Sequence, residues 1–380
     1  ANRKPENQKR GLLMQKEVLS TRQAVFICSL FIFASNILIG SVSKVEQDTW
    51  MALLMSFALF LPVVLVYARI LDLNPEMNIA QISEKVLGKL FGKVIIALMT
   101  CYSLMLGSLV VTNFYFYVGV TILQQTPHYY VAGLLVLVCI YMAKSGVEVL
   151  GKWSYAATIF VLVALIFTIV LSYNQYEIER LLPVGEHEFG EIFELACARV
   201  AYPFAEIVLF LFLGHALRKE YSSYKILLTS SIIGLMSLLI LVVRNILVLG
   251  PELISAVYFP SYIAARVISV STFLTKVEGS ISMNYIVSGI VKISVCLFAS
   301  AIGLSSLFGI ADYKKLVVPT GIIIFALCMI NYPGIIEMFR FLEVYQYFAI
   351  LFQIVIPVII WIASEIRARK QKKSAAKPRQ

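Results

Sequence analysis

Lys292 stands near the middle of a long apolar run. An unpaired ammonium at that depth of a bilayer costs at least ~2.5 kcal/mol, so it must face protein, a partner charge or water. Two readings follow: a cation that replaces a coupling ion or touches a ligand, or a structural ion pair with Glu206 as partner. A second apolar run carries Tyr202-Pro203 near its middle, between Arg199 and Glu206, with Phe204 following. Pro203 has no amide proton and clashes with the preceding turn, so the chain is expected to bend at Tyr202. Another run is interrupted near its middle by Ala34, Ser35 and Asn36, with Gly40 beyond. Broken backbone at membrane depth is tolerated only where protein or a wet cavity surrounds it. Half-helix ends beside a buried ammonium can hold a small polar molecule or an ion, without covalent chemistry.

Other polar groups inside apolar runs read differently. Arg199 and Glu206 are seven residues apart and would share a face on an unbroken helix, which suggests a structural pair. Arg244 lies close enough to the end of its run to snorkel. Tyr102, with Leu106 and Gly107, falls at mid-depth, where its hydroxyl must line a polar cavity or bond a neighbouring helix. Phe114-Tyr115-Phe116-Tyr117 reads as an interfacial aromatic belt, and Glu148 as a surface partner of Lys144 or Lys152. Cys28, Cys101, Cys139, Cys197, Cys296 and Cys328 all lie in apolar runs without CxxC spacing, and read as small buried hydrophobes. His128, His187 and His215 are scattered. No metal motif and no nucleophile–base constellation is present, so no metal, no cofactor and no enzymatic activity are expected.

The elements that position these residues follow from hydropathy. The chain is 60% hydrophobic and 14% charged, with a mean hydropathy of +0.85. A soluble domain is about half apolar and a quarter charged, so lipid must be the solvent here. Ten runs of spanning character cover approximately 23–43, 50–71, 94–123, 129–143, 147–172, 192–216, 226–250, 280–308, 316–332 and 344–364. With the N-terminus inside, 24 lysines and arginines fall on inner segments and five on outer ones, an asymmetry that a missed span would destroy. Both termini are therefore expected in the cytoplasm, as a basic tail over 1–22 and another over 367–380 around a ten-helix region, 23–366. The net charge of +10 resides in these clusters rather than on a recognition face, which excludes nucleic acid. No cleavable leader is read at the start.

Residues 78–92 repeat at helical spacing and read as a short amphipathic helix on the inner surface. Residues 252–277 read as an external lid or re-entrant helix, and the acidic connection 173–191 as a solvated loop. Ten spans allow two five-helix halves, in which the first pairs with the sixth. Both carry a mid-span interruption, as in transporters with discontinuous helices.

Several short strings then form a pattern. They are Gln47-Asp48-Thr49-Trp50, Leu87-Gly88-Lys89 with Gly92, Thr126-Pro127, Gly146-Val147-Glu148-Val149 with Lys152-Trp153-Ser154, Leu182-Pro183-Val184 and Phe204-Ala205-Glu206. In this order the chain resembles the B subunits of spore germinant receptors, the endospore germination permease family, over about residues 19–366. The resemblance implies an all-α amino acid–polyamine–cation transporter fold, with a LeuT-like inverted 5+5 repeat and broken first and sixth helices. It implies the inner membrane of a bacterial spore, a receptor A subunit with a channel-like role and a C lipoprotein as partners, and a small-molecule germinant such as an amino acid. Many members have glycine in the unwound first span, where this chain has Ala34, and Lys292 is not expected of every member.

The expected site comprises Ala34, Ser35 and Asn36, Tyr202, Pro203, Phe204 and Glu206, Tyr102 and Leu106, with Lys292 setting the charge. The expected function is germinant sensing that triggers germination through partner subunits. The alternatives are a secondary amino-acid transporter acting alone and a water or ion conduit opened in germination.

Overall fold

The computed structural model describes residues 17–35, 45–267 and 278–375, with side chains to residue 371. Among them, eight helices are long and apolar enough to cross a membrane. They are Glu46–Leu73, Lys89–Thr121, His128–Ser145, Val147–Leu171, Phe189–Ala216, Ser223–Leu249, Glu278–Phe308 and Ile335–Gln371. Two shorter apolar helices, Thr21–Phe33 and Val317–Ile330, occupy the places of the first and ninth expected runs. The order of ten is thus as read from hydropathy, and the elements are called the first to tenth spans below. Their ends differ most in the tenth, which begins at Ile335 rather than near 344.

Local sequence explains where helices start. Ser20 caps the first span reciprocally: its hydroxyl accepts from Gln23 N at 3.2 Å, and Gln23 Oε1 accepts from Ser20 N at 2.9 Å. Asn78 and Gln81 do the same for the amphipathic helix Ile79–Leu87, which buries Ile79 and Ile82. Both described chain ends lie on one face of the molecule. There Leu19 pairs with Leu217 beyond the sixth span, Glu17 meets Tyr313 and Lys314, and Arg367 donates to the carbonyl of Lys85. This is the terminal face, and its opposite is the far face.

The third and eighth spans pack closely along their length because glycine and small residues alternate between them. Gly107 sits against Cys296, Gly303 against Thr100 and Gly289 against Phe114. Phe114 stacks in turn on Tyr285, with 4.0 Å between ring centroids, and the Tyr117 and Ser282 hydroxyls are 2.7 Å apart. Phe114-Tyr115-Phe116-Tyr117 is therefore interior and not an aromatic belt, because the eighth span and the lid cover Phe114 and Tyr117, while His128 of the fourth span lies against Tyr115 and Phe116 and the Tyr115 hydroxyl reaches the Cys328 carbonyl of the ninth. A Cβ at Gly289 would lie 1.7 Å from the Phe114 ring. Gly289→Ala is expected to destabilise by about 1–3 kcal/mol through overpacking, read as a lowered unfolding midpoint in detergent.

Two far-face connections are ordered by specific contacts. Residues 251–267 form two short helices, Pro251–Ala256 and Pro260–Arg266. This is the expected lid as far as it is described; residues 268–277 lie outside the described segments. Tyr258 stacks on Phe339 of the tenth span at 5.1 Å, Phe259 packs edge-on to Tyr117, and Tyr262 donates to the carbonyl of Thr121 at 3.1 Å. The connection 173–191 is more than a solvated loop. Asp48, fully buried, accepts from Gly185 N at 2.8 Å and His187 N at 3.2 Å, and Gln47 Nε2 donates to Glu186 at 2.6 Å. A buried carboxylate needs such donors, and the loop supplies them.

Candidate functional site

The sixth span is broken where proline requires it. Phe189–Arg199 is α-helical, residues 200–204 form a wide turn, and Ala205–Ala216 is wound tightly as a 3-10 helix. Within the turn Tyr202 is extended, at φ −141° and ψ 112°, as expected of a residue before proline. The first span ends opposite this bend. Its helix stops at Phe33 and Ala34–Ser35 make a single tight turn. Asn36 and Gly40 lie outside the described residues. Tyr202 joins the two interruptions directly by donating its hydroxyl to the carbonyl of Ser35 at 2.7 Å.

Lys292 reaches this junction from the eighth span and is 1% exposed. Its ammonium donates to Ser35 Oγ at 2.5 Å and forms an ion pair with Glu206 Oε2, also at 2.5 Å. The rings of Phe31 and Tyr202 cover it, with centroids at 5.1 and 5.5 Å, in cation–π geometry. Glu206, likewise 1% exposed, accepts from the Tyr345 hydroxyl through Oε1 at 2.9 Å. The Tyr345 proton is committed to that carboxylate, so the Tyr102 hydroxyl, 3.0 Å away, must be the donor to Tyr345. Gln353 then donates to Tyr102 at 2.7 Å and to the carbonyl of Ala201, in the bend, at 2.9 Å. Tyr67 of the second span donates to the Gln353 carbonyl. One buried network thus links spans one, two, three, six, eight and ten.

Of the residues expected at the site, Ser35, Tyr202, Glu206 and Lys292 are brought together by direct bonds and Tyr102 joins them through Tyr345, with Ala34 buried beside Ser35. Pro203 makes the bend. Phe204 is taken up by the second span, stacked on Phe60 at 5.6 Å and edge-on to Phe57 at 5.7 Å. Leu106 belongs to the surrounding apolar core. Tyr102 meets the second of its two expectations, bonding a neighbouring helix. Tyr345 and Gln353 were not foreseen, although a glutamine within the tenth apolar run was a signal: a mid-span amide requires a partner.

Three expectations differ from the structure. Glu206 pairs with Lys292 and not with Arg199, because the turn at 200–204 destroys the helical register that would place the latter two on one face. Among the described residues Arg199 forms no ion pair, and its Nε has no hydrogen-bond partner. Arg244 does not snorkel: it is 2% exposed, covered by the lid. Glu148 accepts from Val18 N at 2.8 Å instead of meeting Lys144 or Lys152.

That last contact belongs to a clasp on the terminal face. Glu17 forms an ion pair with Lys314 at 2.7 Å, accepts from the Tyr313 hydroxyl at 2.9 Å and from Val147 N at 3.4 Å, while Leu19 N donates to Ala216 O at 2.9 Å. Burial, then the Glu17 charge, raise the Tyr313 pKa far above its ordinary value, so the phenol stays a donor. Gly146, at φ +99°, lets the chain turn tightly here, and a Cβ would lie 2.6 Å from Glu17 Oε1. A cavity of about 1100 Å³ opens beside the clasp, lined among others by Glu17, Gly146, Lys152, His215, Ser305 and Lys314. None of the buried network lines it.

The arrangement can hold two opposite charges in an exchangeable pair between broken helices, which suits recognition of a small polar molecule. Comparison with known proteins gives this a context. The family described as "Spore germination protein" matches residues 18–335. Spore germination protein KB of Bacillus subtilis (strain 168) is 24% identical over 366 residues, covering 95% of this chain and 98% of that protein. Putative spore germination protein YfkT of the same organism is 25% identical over 318 residues, covering 80% of this chain and 84% of that protein. Among solved structures, the nucleobase-cation-symport-1 family transporter Mhp1, closed with bromovinylhydantoin bound, aligns with TM-score 0.68 and 10% identity, covering 91% of this chain and 78% of that one. MhsT in complex with L-phenylalanine aligns with TM-score 0.62 and 12% identity, covering 90% and 89%. The fold is accordingly that of the LeuT-like transporters, in a multi-pass membrane protein.

Proposed function

Because the chain belongs to the spore germination protein family, we propose that it is the membrane-embedded germinant-sensing subunit of a spore germination receptor. In this reading both termini face the cytoplasm, the far face looks outward from the inner spore membrane, and A and C subunits carry the signal onward. The observation that supports it best is the ion pair between Lys292 and Glu206, set between the broken first and sixth spans with Ser35 as a third partner. A zwitterion such as an amino acid matches this pair. Its carboxylate can take the place of Glu206 on the ammonium, and its amine the place of Lys292 on the carboxylate. The buried network then separates into two arrangements, one joined through the pair and one joined through the ligand. A ligand that binds the second more tightly shifts the population toward it, which is all that signalling to a neighbour requires.

Spores carrying this chain in their only receptor provide the test, through germination dose–response to single nutrients. Ser35→Ala and Tyr202→Phe should each raise the half-maximal concentration while leaving the amount of receptor unchanged. Unaltered dose dependence in both variants would remove the junction from the site. Fold relatives that are transporters favour one second reading, an amino-acid transporter acting alone; uptake of labelled substrate by vesicles containing this chain without partners would establish it.

Asn284 offers a sharper distinction. It lies two helical steps of four from Lys292 along the eighth span, is 2% exposed, and among the described residues neither amide atom has a hydrogen-bond partner. A structural residue in that position gains nothing from its polarity, whereas a ligand contact does. Asn284→Leu is expected to leave stability unchanged or raise it by about 1 kcal/mol, since it removes an unsatisfied buried amide. The same variant is expected to blunt the germinant response.

A further inference from the structure

Arg244 presents a buried charge with no counter-charge. The guanidinium is 2% exposed, near the far-face end of the seventh span. Only Nη2 is engaged, donating to Asn245 Oδ1 at 2.7 Å and to the Ser261 carbonyl at 3.0 Å. Among the described residues Nε and Nη1 have no hydrogen-bond partner, which leaves three of five donors unused. Both acceptors are neutral. Among the described residues no carboxylate pairs with Arg244. The segments 36–44 and 268–277, which connect elements at this face, contain no Asp or Glu. Arg180, close by on the 173–191 connection, shows the contrast: its guanidinium binds Glu177 at 2.8 Å as well as the carbonyls that end the seventh span.

A buried arginine keeps its proton at any ordinary pH, so an anion from outside the chain would offset the cost of its isolation. The position gives that anion a consequence. Arg244 and Asn245 together hold Ser261, through its carbonyl and, from Asn245 Nδ2 at 2.9 Å, through its hydroxyl. Ser261 lies in the first turn of the lid helix Pro260–Arg266. We propose that Arg244 binds a small monovalent anion, a halide or a carboxylate, beneath this lid helix, and that the bound anion stabilises closure of the lid over the far face.

The test uses the full chain in detergent or nanodiscs at constant ionic strength, with sodium isethionate as a bulky reference salt. Replacing isethionate by chloride in one arm and by acetate in the other should raise the unfolding midpoint saturably, by roughly 4 °C at 100-fold excess over Kd. A rise in the chloride arm alone identifies a halide site, in the acetate arm alone a carboxylate site, and in both a site for either. Arg244→Gln should abolish the rise. A flat response in both arms, or one that persists in Arg244→Gln, overturns the proposal. Should that variant not fold, anomalous diffraction from the unaltered chain crystallised with bromide and, separately, bromoacetate decides the matter. A peak in hydrogen-bond range of Arg244 Nε or Nη1 supports the site, and a saturable midpoint shift without such a peak overturns it.

Discussion

Lys292→Ala is expected to lower unfolding stability by about 3–5 kcal/mol, the range for breaking a buried pair from one side. The cause is the group left behind rather than the bond removed. Glu206, 1% exposed, would keep only the Tyr345 hydroxyl and the long contact to Ser35 Oγ at 3.5 Å. Replacing both partners, as Lys292→Met with Glu206→Gln, should recover most of the loss. The glutamine oxygen still accepts from Tyr345 and no charge remains to be compensated. Denaturant unfolding in mild detergent, taken around the full double-mutant cycle, gives the coupling energy; additivity of the two single losses would show that the pair is not coupled. Function separates from stability in the same set. The neutral double variant should assemble at normal levels yet respond weakly to zwitterionic germinants, because neither ligand charge finds its opposite. A normal dose–response in that variant would remove the pair from ligand recognition and leave it a structural device.

The residues that compose this pair were visible early because their signals are local. A lysine in an apolar run has few tolerable environments, and a proline in a span bends the chain at the preceding residue whatever surrounds it. The identity of the partner was not local. On an unbroken helix Glu206 and Arg199 share a face, and only the turn at 200–204 turns the carboxylate toward Lys292. Arg244 shows the same limit. Distance along the helix from its end says how far a side chain must reach to water, but the lid helices that close that route come from elsewhere in the chain. Phe114 to Tyr117 fit an interface or an interior equally well by composition, and neighbours from the fourth, eighth and ninth spans decide. Tyr345 and Gln353 were passed over because a neutral hydroxyl and an amide disturb hydropathy little, although their bonds complete the network from Ala201 to Glu206.

The clasp on the terminal face should respond to substitution almost as strongly, and by a different readout. Glu17→Ala removes the acceptor shared by Tyr313, Lys314 and Val147 N. The Lys314 contribution is small, because its side chain is 39% exposed and water screens the charge. The half-buried phenol is worth more, since a hydrogen bond to a charged group contributes about 1.5–3 kcal/mol. Together these amount to about 3 kcal/mol of local opening energy, a ~100-fold change in the open population. Val18 N and Leu19 N are the reporters, because their acceptors, Glu148 and the Ala216 carbonyl, lie on the fifth and sixth spans and are lost when residues 17–19 lift away. Amide exchange at Val18 and Leu19 is therefore expected to quicken by ~100-fold in Glu17→Ala, with Glu17→Gln intermediate because it still accepts from Tyr313. Unchanged exchange would mean that the main-chain pairing of Leu19 with the end of the sixth span, together with Glu148 at Val18 N, holds residues 17–19 in place without Glu17. The broken first span would then be fixed at its terminal end without the Glu17 clasp, and movement in response to a ligand would have to come from the bend at Tyr202.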